Sequence, residues 1–91
     1  MTLKVKKLPR GIEASQELVA RSSVDLGTVI RERRKQLALT QLDLAGLSNS
    51  GNRFIVEVEN GKPSVQLQKV LDLVNLLGLE LVVRAKTTRV P

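Results

Sequence analysis

The sequence predicts a mainly α domain of four to five short helices that closes on one β-strand. Three observations predict it. Apolar residues between positions 24 and 77 recur at helical spacing rather than in alternation. Helix start and stop residues cut that stretch into short pieces. The run Leu79-Glu80-Leu81-Val82-Val83-Arg84 is short, apolar, partly β-branched and follows a glycine. A chain of 91 residues has room for one small domain. Its organisation reads as a basic N-terminal arm or strand with a short helix (1–23), a helical domain (24–78), a strand (79–84) and a flexible basic tail (85–91).

Residues 2–8 alternate weakly, with Leu3, Val5 and Leu8 among Lys4, Lys6 and Lys7, which suits an edge strand or an extended arm. Pro9-Arg10-Gly11 punctuates it, and residues 12–21 could form a short helix with Leu18 and Val19 as its apolar face. Ser23 is suited to cap a helix over 24–37, with Asp25 in the first turn favoured by the helix dipole. Leu26, Ile30 and Leu37 fall on one face of it with Val29 on the flank, while Arg31, Arg33, Arg34 and Lys35 load the other. After a break at Ala38-Leu39, Thr40-Gln41-Leu42-Asp43 reads as a capping box with Asp in place of Glu or Gln. It opens a helix over 41–47 with Leu44 and Ala45 inward. Ser48-Asn49-Ser50-Gly51 is a tight turn in which Asn49 suits a left-handed backbone. A third helix over about 52–59 turns Ile55 and Val58 inward and ends at Asn60-Gly61. Ser64 is suited to cap a fourth over 65–77, striped by Leu67, Val70, Leu71, Val74 and Leu77 and stopped by Gly78. The strand at 79–84 needs a partner for its backbone, either residues 2–8 or the same strand of a second chain.

Composition narrows the chemistry. With no His and no Cys, the chain has no imidazole base, no thiolate nucleophile and no soft metal ligands, and its carboxylates lack calcium-loop spacing. The expectation is a protein with no catalysis, no metal and no cofactor. No stretch has the length of a membrane span, and the first residues lack the apolar run of a signal peptide, so a soluble cytoplasmic protein is expected. Fifteen Lys plus Arg against nine Asp plus Glu give a net charge of +6, which makes a polyanion the first partner to consider.

A capped short helix, a turn of about four residues and a second short helix ended by Asn-Gly, all behind a basic helix, form the layout of a helix-turn-helix, whose second helix enters the DNA major groove. The segment Leu26-Gly27-Thr28-Val29-Ile30-Arg31-Glu32-Arg33-Arg34, then Thr40-Gln41-Leu42-Asp43-Leu44-Ala45, then Arg53-Phe54-Ile55-Val56-Glu57-Val58-Glu59-Asn60-Gly61-Lys62-Pro63, resembles the Xre/Cro type of helix-turn-helix protein. The Phe54-Ile55 pair and the trailing Leu77-Gly78-Leu79-Glu80-Leu81 look like the HipB branch of antitoxins. The resemblance covers roughly residues 24–84 and implies a lambda-repressor-like bundle; the N-terminal arm has no counterpart in it.

Carried over by position, the resemblance implies DNA-binding roles for Gln41, Ser50, Gly51, Asn52, Arg53, Val56 and Lys62. Gln41 would bond a phosphate and brace the third helix. Asn52 could pair with adenine and Arg53 with guanine or a phosphate, and Val56, where polar residues are usual, could touch a thymine methyl. Lys62 would reach a phosphate. Arg34 and Glu59 match a structural ion pair, whereas Arg31, Arg33 and Lys35 read chiefly as a solvated face. Phe54, the only aromatic, reads as core packing. Leu79, Leu81 and Val83 would pair two chains into a homodimer, placing two recognition helices on a palindromic operator.

Within residues 24–63 the charges nearly balance, and most of the excess lies in Lys4, Lys6, Lys7, Arg10, Arg21, Lys86 and Arg89. The arm could therefore follow DNA, or its lysines could protect a strand edge. The expected function is a sequence-specific transcriptional repressor of its own operon that also acts as the antitoxin of a HipA-like serine/threonine kinase toxin. The alternatives are a phage- or plasmid-type repressor with no toxin, and an interaction module that binds no DNA.

Overall fold

A computed structural model describes residues 16–86. The expected strand or arm at 2–8, the start of the expected helix at 12–21 and the end of the basic tail lie outside the described residues. The described residues form four helices in order: α1 (Ser23–Gln36), α2 (Gln41–Leu47), α3 (Asn52–Glu59) and α4 (Leu67–Leu76).

Their apolar faces meet in one core, with Ile30 from α1, Leu44 and Ala45 from α2, Ile55 and Val58 from α3, and Val70, Leu73 and Val74 from α4, closed by Leu77. Leu26, Phe54, Val65 and Leu79 pack against it from the rim. Phe54 is half-buried, and the Lys69 ammonium stands 5.4 Å from its ring centroid. Helix α1 approaches the end of α3 closely at Gly27. Gly27 is buried there, and a Cβ on it would run into the Val58 carbonyl oxygen and lie 2.9 Å from that of Glu59. Ser23 Oγ also donates to the Gly61 carbonyl at 2.8 Å. The chain thus uses a residue with no side chain to bring the basic helix against the end of α3.

All four helices end in the same six-residue motif, in which the residue just past the cap turns left-handed and its successor bonds back into the last turn. After α1 the turning residue is Ala38 (φ 59°), with Leu39 N–H donating to Arg34 O at 3.1 Å. After α2 it is Asn49 (φ 55°), with Ser50 N–H donating to Ala45 O at 3.0 Å. Gly61 and Gly78 serve α3 and α4, with Lys62 N–H on Glu57 O and Leu79 N–H on Val74 O. Arg33 secures the last of these, its Nε donating to the Leu77 carbonyl at 2.8 Å. It is therefore a helix cap and not the freely solvated side chain the sequence implied.

Several expectations need correction. Ser22, not Ser23, caps α1: its backbone is extended and its side chain accepts from Asp25 N–H, leaving Ser23 inside the helix. Leu37 lies past the end of α1 and is 42% exposed. Residues 16–21 are not helical. Helix α4 starts two residues later than expected, with Gln66 at its cap position, because Pro63, Ser64 and Val65 are spent in the turn. Leu67 consequently sits in the first turn facing solvent, 69% exposed, and Leu73 takes its place in the core. Residues 79–84 form no strand among the described residues, since no neighbouring segment offers its backbone a ladder. An exposed Arg84–Glu17 ion pair at 2.8 Å joins this run to residues 16–20.

Candidate nucleic-acid interface

The start of α2 is a polar corner built on a buried ion pair. Arg34 Nε and Nη2 donate to Glu59 Oε2 and Oε1 at 2.6 and 3.0 Å, and Arg34 Nη1 donates to the Leu39 carbonyl at 2.7 Å. Both side chains are almost fully buried, at 9% and 2% exposure. This fork-on-fork pairing ties α1 to the end of α3 and to the α1–α2 connection. Gln41 joins it, donating from Nε2 to Glu59 Oε1 at 3.0 Å. A carboxylate can only accept, so the amide nitrogen faces Glu59, and its second hydrogen remains for another acceptor.

Thr40 and Asp43 complete the reciprocal capping box at the head of α2. Thr40 Oγ1 accepts from Asp43 N–H at 3.0 Å, and Asp43 Oδ2 accepts from Thr40 N–H at 2.9 Å. The bonds from the Thr40 backbone and side chain hold the Asp43 carboxyl below its ordinary range. Arg31, Thr40, Gln41 and Asn60 rim a shallow, open, polar depression that reaches down to Arg34 and Glu59.

The turn between α2 and α3 is internally bonded. Ser48 Oγ lies 2.7 Å from both the Leu44 carbonyl and Ser50 Oγ, so the Ser50 hydroxyl is engaged within the turn. Gly51 precedes α3 in an extended conformation, and α3 has no side-chain cap. The first N–H groups of α3 are therefore open to an outside acceptor. With Ile55, Val58 and Glu59 buried, the outer face of α3 presents Asn52, Arg53, Val56 and Glu57. Arg53 is 88% exposed.

Of the residues singled out from sequence, Gln41, Asn52, Arg53, Val56 and Lys62 thus belong to the ends and outer face of the α2–α3 pair, with Ser50 and Gly51 between them. Leu79, Leu81 and Val83 lie apart from these on the extended run after α4. Leu79 packs on the core, while Leu81 and Val83 are exposed, Val83 almost completely. Sequence reading passed over Glu57. It accepts from Arg53 Nε at 3.1 Å and from Lys62 Nζ at 3.3 Å, and these two cations hold its carboxyl below the usual range. The i,i+4 spacing of Arg53 and Glu57 on a helix was the available signal.

No helix among the described residues is long and apolar enough to cross a membrane. A family model described as helix-turn-helix matches residues 30–83, which takes in α2, the turn, α3 and α4. The chain is also similar to a protein of Sinorhizobium fredii (strain NBRC 101917 / NGR234) named "Uncharacterized HTH-type transcriptional regulator y4mF". The two are 39% identical over 69 residues, covering 76% of this chain and 91% of that protein.

Proposed function

Because the chain belongs to the helix-turn-helix family of transcriptional regulators, we propose that it is a sequence-specific double-stranded DNA-binding repressor that reads the major groove with α3. The observation that carries this is the outer face of α3. It is polar and uncapped at its N-terminus, and α1 and α2 hold it from behind through the Arg34–Glu59–Gln41 network. In this reading the second Nε2 hydrogen of Gln41 and the ammonium of Lys62 go to phosphates, fixing the register of the helix on the duplex. Asn52 and Arg53 go to base edges, and Val56 to a thymine methyl. Ser50 and Gly51 set the approach of the backbone. No catalytic step is involved.

The active form in this proposal is a homodimer. Beyond the Leu79 N–H, which caps α4, residues 80–84 are neither helix nor strand, and Leu81, Val82 and Val83 are exposed. A second copy of the same run would satisfy the backbone and cover the side chains. Two α3 helices would then meet a palindromic operator with half-sites about one helical turn, or a multiple of it, apart. The resemblance of Phe54-Ile55 and of Leu77-Gly78-Leu79-Glu80-Leu81 to the HipB branch adds an antitoxin role toward a HipA-like kinase toxin and repression of a shared operon. A repressor without a toxin fits the family membership equally, and co-purification with the product of a neighbouring kinase-like gene separates the two.

The experiment for DNA reading is selection of duplexes from a randomised pool by the full chain, followed by anisotropy titration. A selected duplex bound about 10³-fold or more tightly than random DNA at physiological salt supports the proposal. Equal affinity for both rejects it.

A further inference from the structure

Glu57 is an acid on the face proposed to approach DNA. A single oxygen, Oε2, takes both Arg53 Nε and Lys62 Nζ, and Oε1 accepts nothing from any described residue. The three side chains are partly or largely open to solvent, at 27% for Glu57, 88% for Arg53 and 44% for Lys62. Pairs this exposed add little to folding stability, so stability does not explain the arrangement. Its electrostatic effect is larger. In the free protein one carboxylate holds both cations and cancels half of their combined charge, and that acid is repelled by every phosphate.

A carboxylate in this position becomes favourable only opposite a hydrogen-bond donor. The major groove offers exocyclic amine donors on cytosine and adenine, and the usual pairing of a carboxylate is with the cytosine N4 amine. Resting on the DNA-binding reading above, we propose that Glu57 is a specificity-determining residue: it withholds Arg53 and Lys62 from random DNA and releases them where a C·G pair presents its cytosine amine to the carboxylate. Arg53 then turns to an adjacent guanine edge or phosphate, and Lys62 to the backbone. Glu57 lowers affinity for all DNA but lowers it least at the operator.

The test compares the wild-type chain with Glu57→Gln and Glu57→Ala on selected and random duplexes across a salt series. Both substitutions lie on the surface, and thermal melts check that the variants are folded. Affinity for random DNA should rise about tenfold. The slope of log K against log salt should steepen by about one or two as Arg53 and Lys62 gain phosphates. The ratio of operator to random affinity should fall about tenfold or more, and selection with Glu57→Gln should lose a cytosine preference at one position of each half-site. Unchanged ratio, slope and base preference overturn the proposal. So does a uniform loss of affinity, which would make Glu57 only a prop for Arg53. A wild-type chain that discriminates among duplexes while Glu57→Gln discriminates equally defeats this inference alone. A wild-type chain with no sequence preference defeats it together with the DNA-binding reading.

Discussion

Replacing Arg34 with Met keeps most of the side-chain volume and removes three hydrogen bonds, two to Glu59 and one to the Leu39 carbonyl. The Glu59 side chain, 2% exposed, would then keep only the Gln41 amide as partner. Stranding one member of a buried pair costs about 3–5 kcal/mol. Domains of this size have only about 5–15 kcal/mol to lose. At about 4–8 °C per kcal/mol, the melting temperature of Arg34→Met should drop by about 12–40 °C, as followed by far-ultraviolet circular dichroism. The double variant Arg34→Met/Glu59→Leu separates a lost attraction from a stranded charge. Removing both members leaves no buried unpaired charge, so it should recover most of the loss, although the Leu39 carbonyl and the Gln41 amide lose a partner. A cost below about 1 kcal/mol for Arg34→Met, the scale of an exposed pair, would refute the view of this pair as the clamp between α1 and α3. A double variant no more stable than Arg34→Met would refute the stranded-charge account.

Gly27→Ala should cost about 1–3 kcal/mol or more in urea unfolding, because its methyl group meets the Val58 and Glu59 carbonyls rather than a flexible side chain. Ala38→Gly should act oppositely and add about 0.5–1 kcal/mol, since a left-handed alanine costs about 1–2 kcal/mol and glycine returns part of that in chain entropy. The Asp43 carboxyl is held below its ordinary range when folded, so its contribution is present above that range and lost as pH falls through it. Melting temperature measured from pH 7 downward should therefore fall more steeply in the wild-type chain than in Asp43→Asn once pH drops below about 4. Arg53→Ala should weaken operator binding by about 10–100-fold. It should leave the melting temperature nearly unchanged, because the side chain is exposed and its ion pair adds little.

The helix-turn-helix itself was legible because its signals are local. Thr40 and Asp43 stand three apart at the head of α2, Asn49 sits where the chain must turn left-handed, and Asn60-Gly61 ends α3; both helices fall where the spacing put them. The misreadings come from interactions between residues distant in sequence, or from a local preference that was overridden. Nothing near Gly27 in the sequence accounts for a glycine inside α1, and only the carbonyls some thirty residues later explain it. Ala38 adopts the left-handed turn despite being the best helix former, because the chain beyond it is anchored through the bond from Arg34 to Leu39. Arg33 read as one more surface charge, yet its partner is the carbonyl of Leu77. For α4, the turn containing Pro63 takes up Ser64, the expected cap, and the helix starts after Gln66 with no side-chain cap. The apolar run at 79–84 announced a strand but not its partner, and one chain supplies no ladder for it among the described residues. In the candidate interface, charge counting showed that residues 24–63 are nearly neutral. It did not show that Glu57 brings this about on the outer face of α3 itself.

In the proposed complex α3 and the head of α2 form the surface that meets DNA. Amide chemical-shift mapping of the isotope-labelled full chain during titration with a selected duplex tests it most directly. The largest shifts should fall at residues 40–43, 50–57 and 62, with the Gln41 side-chain amide among them and the core amides of α4 nearly still. Shifts concentrated in residues 16–20 and 79–86, with the amides of α3 unmoved, would contradict it.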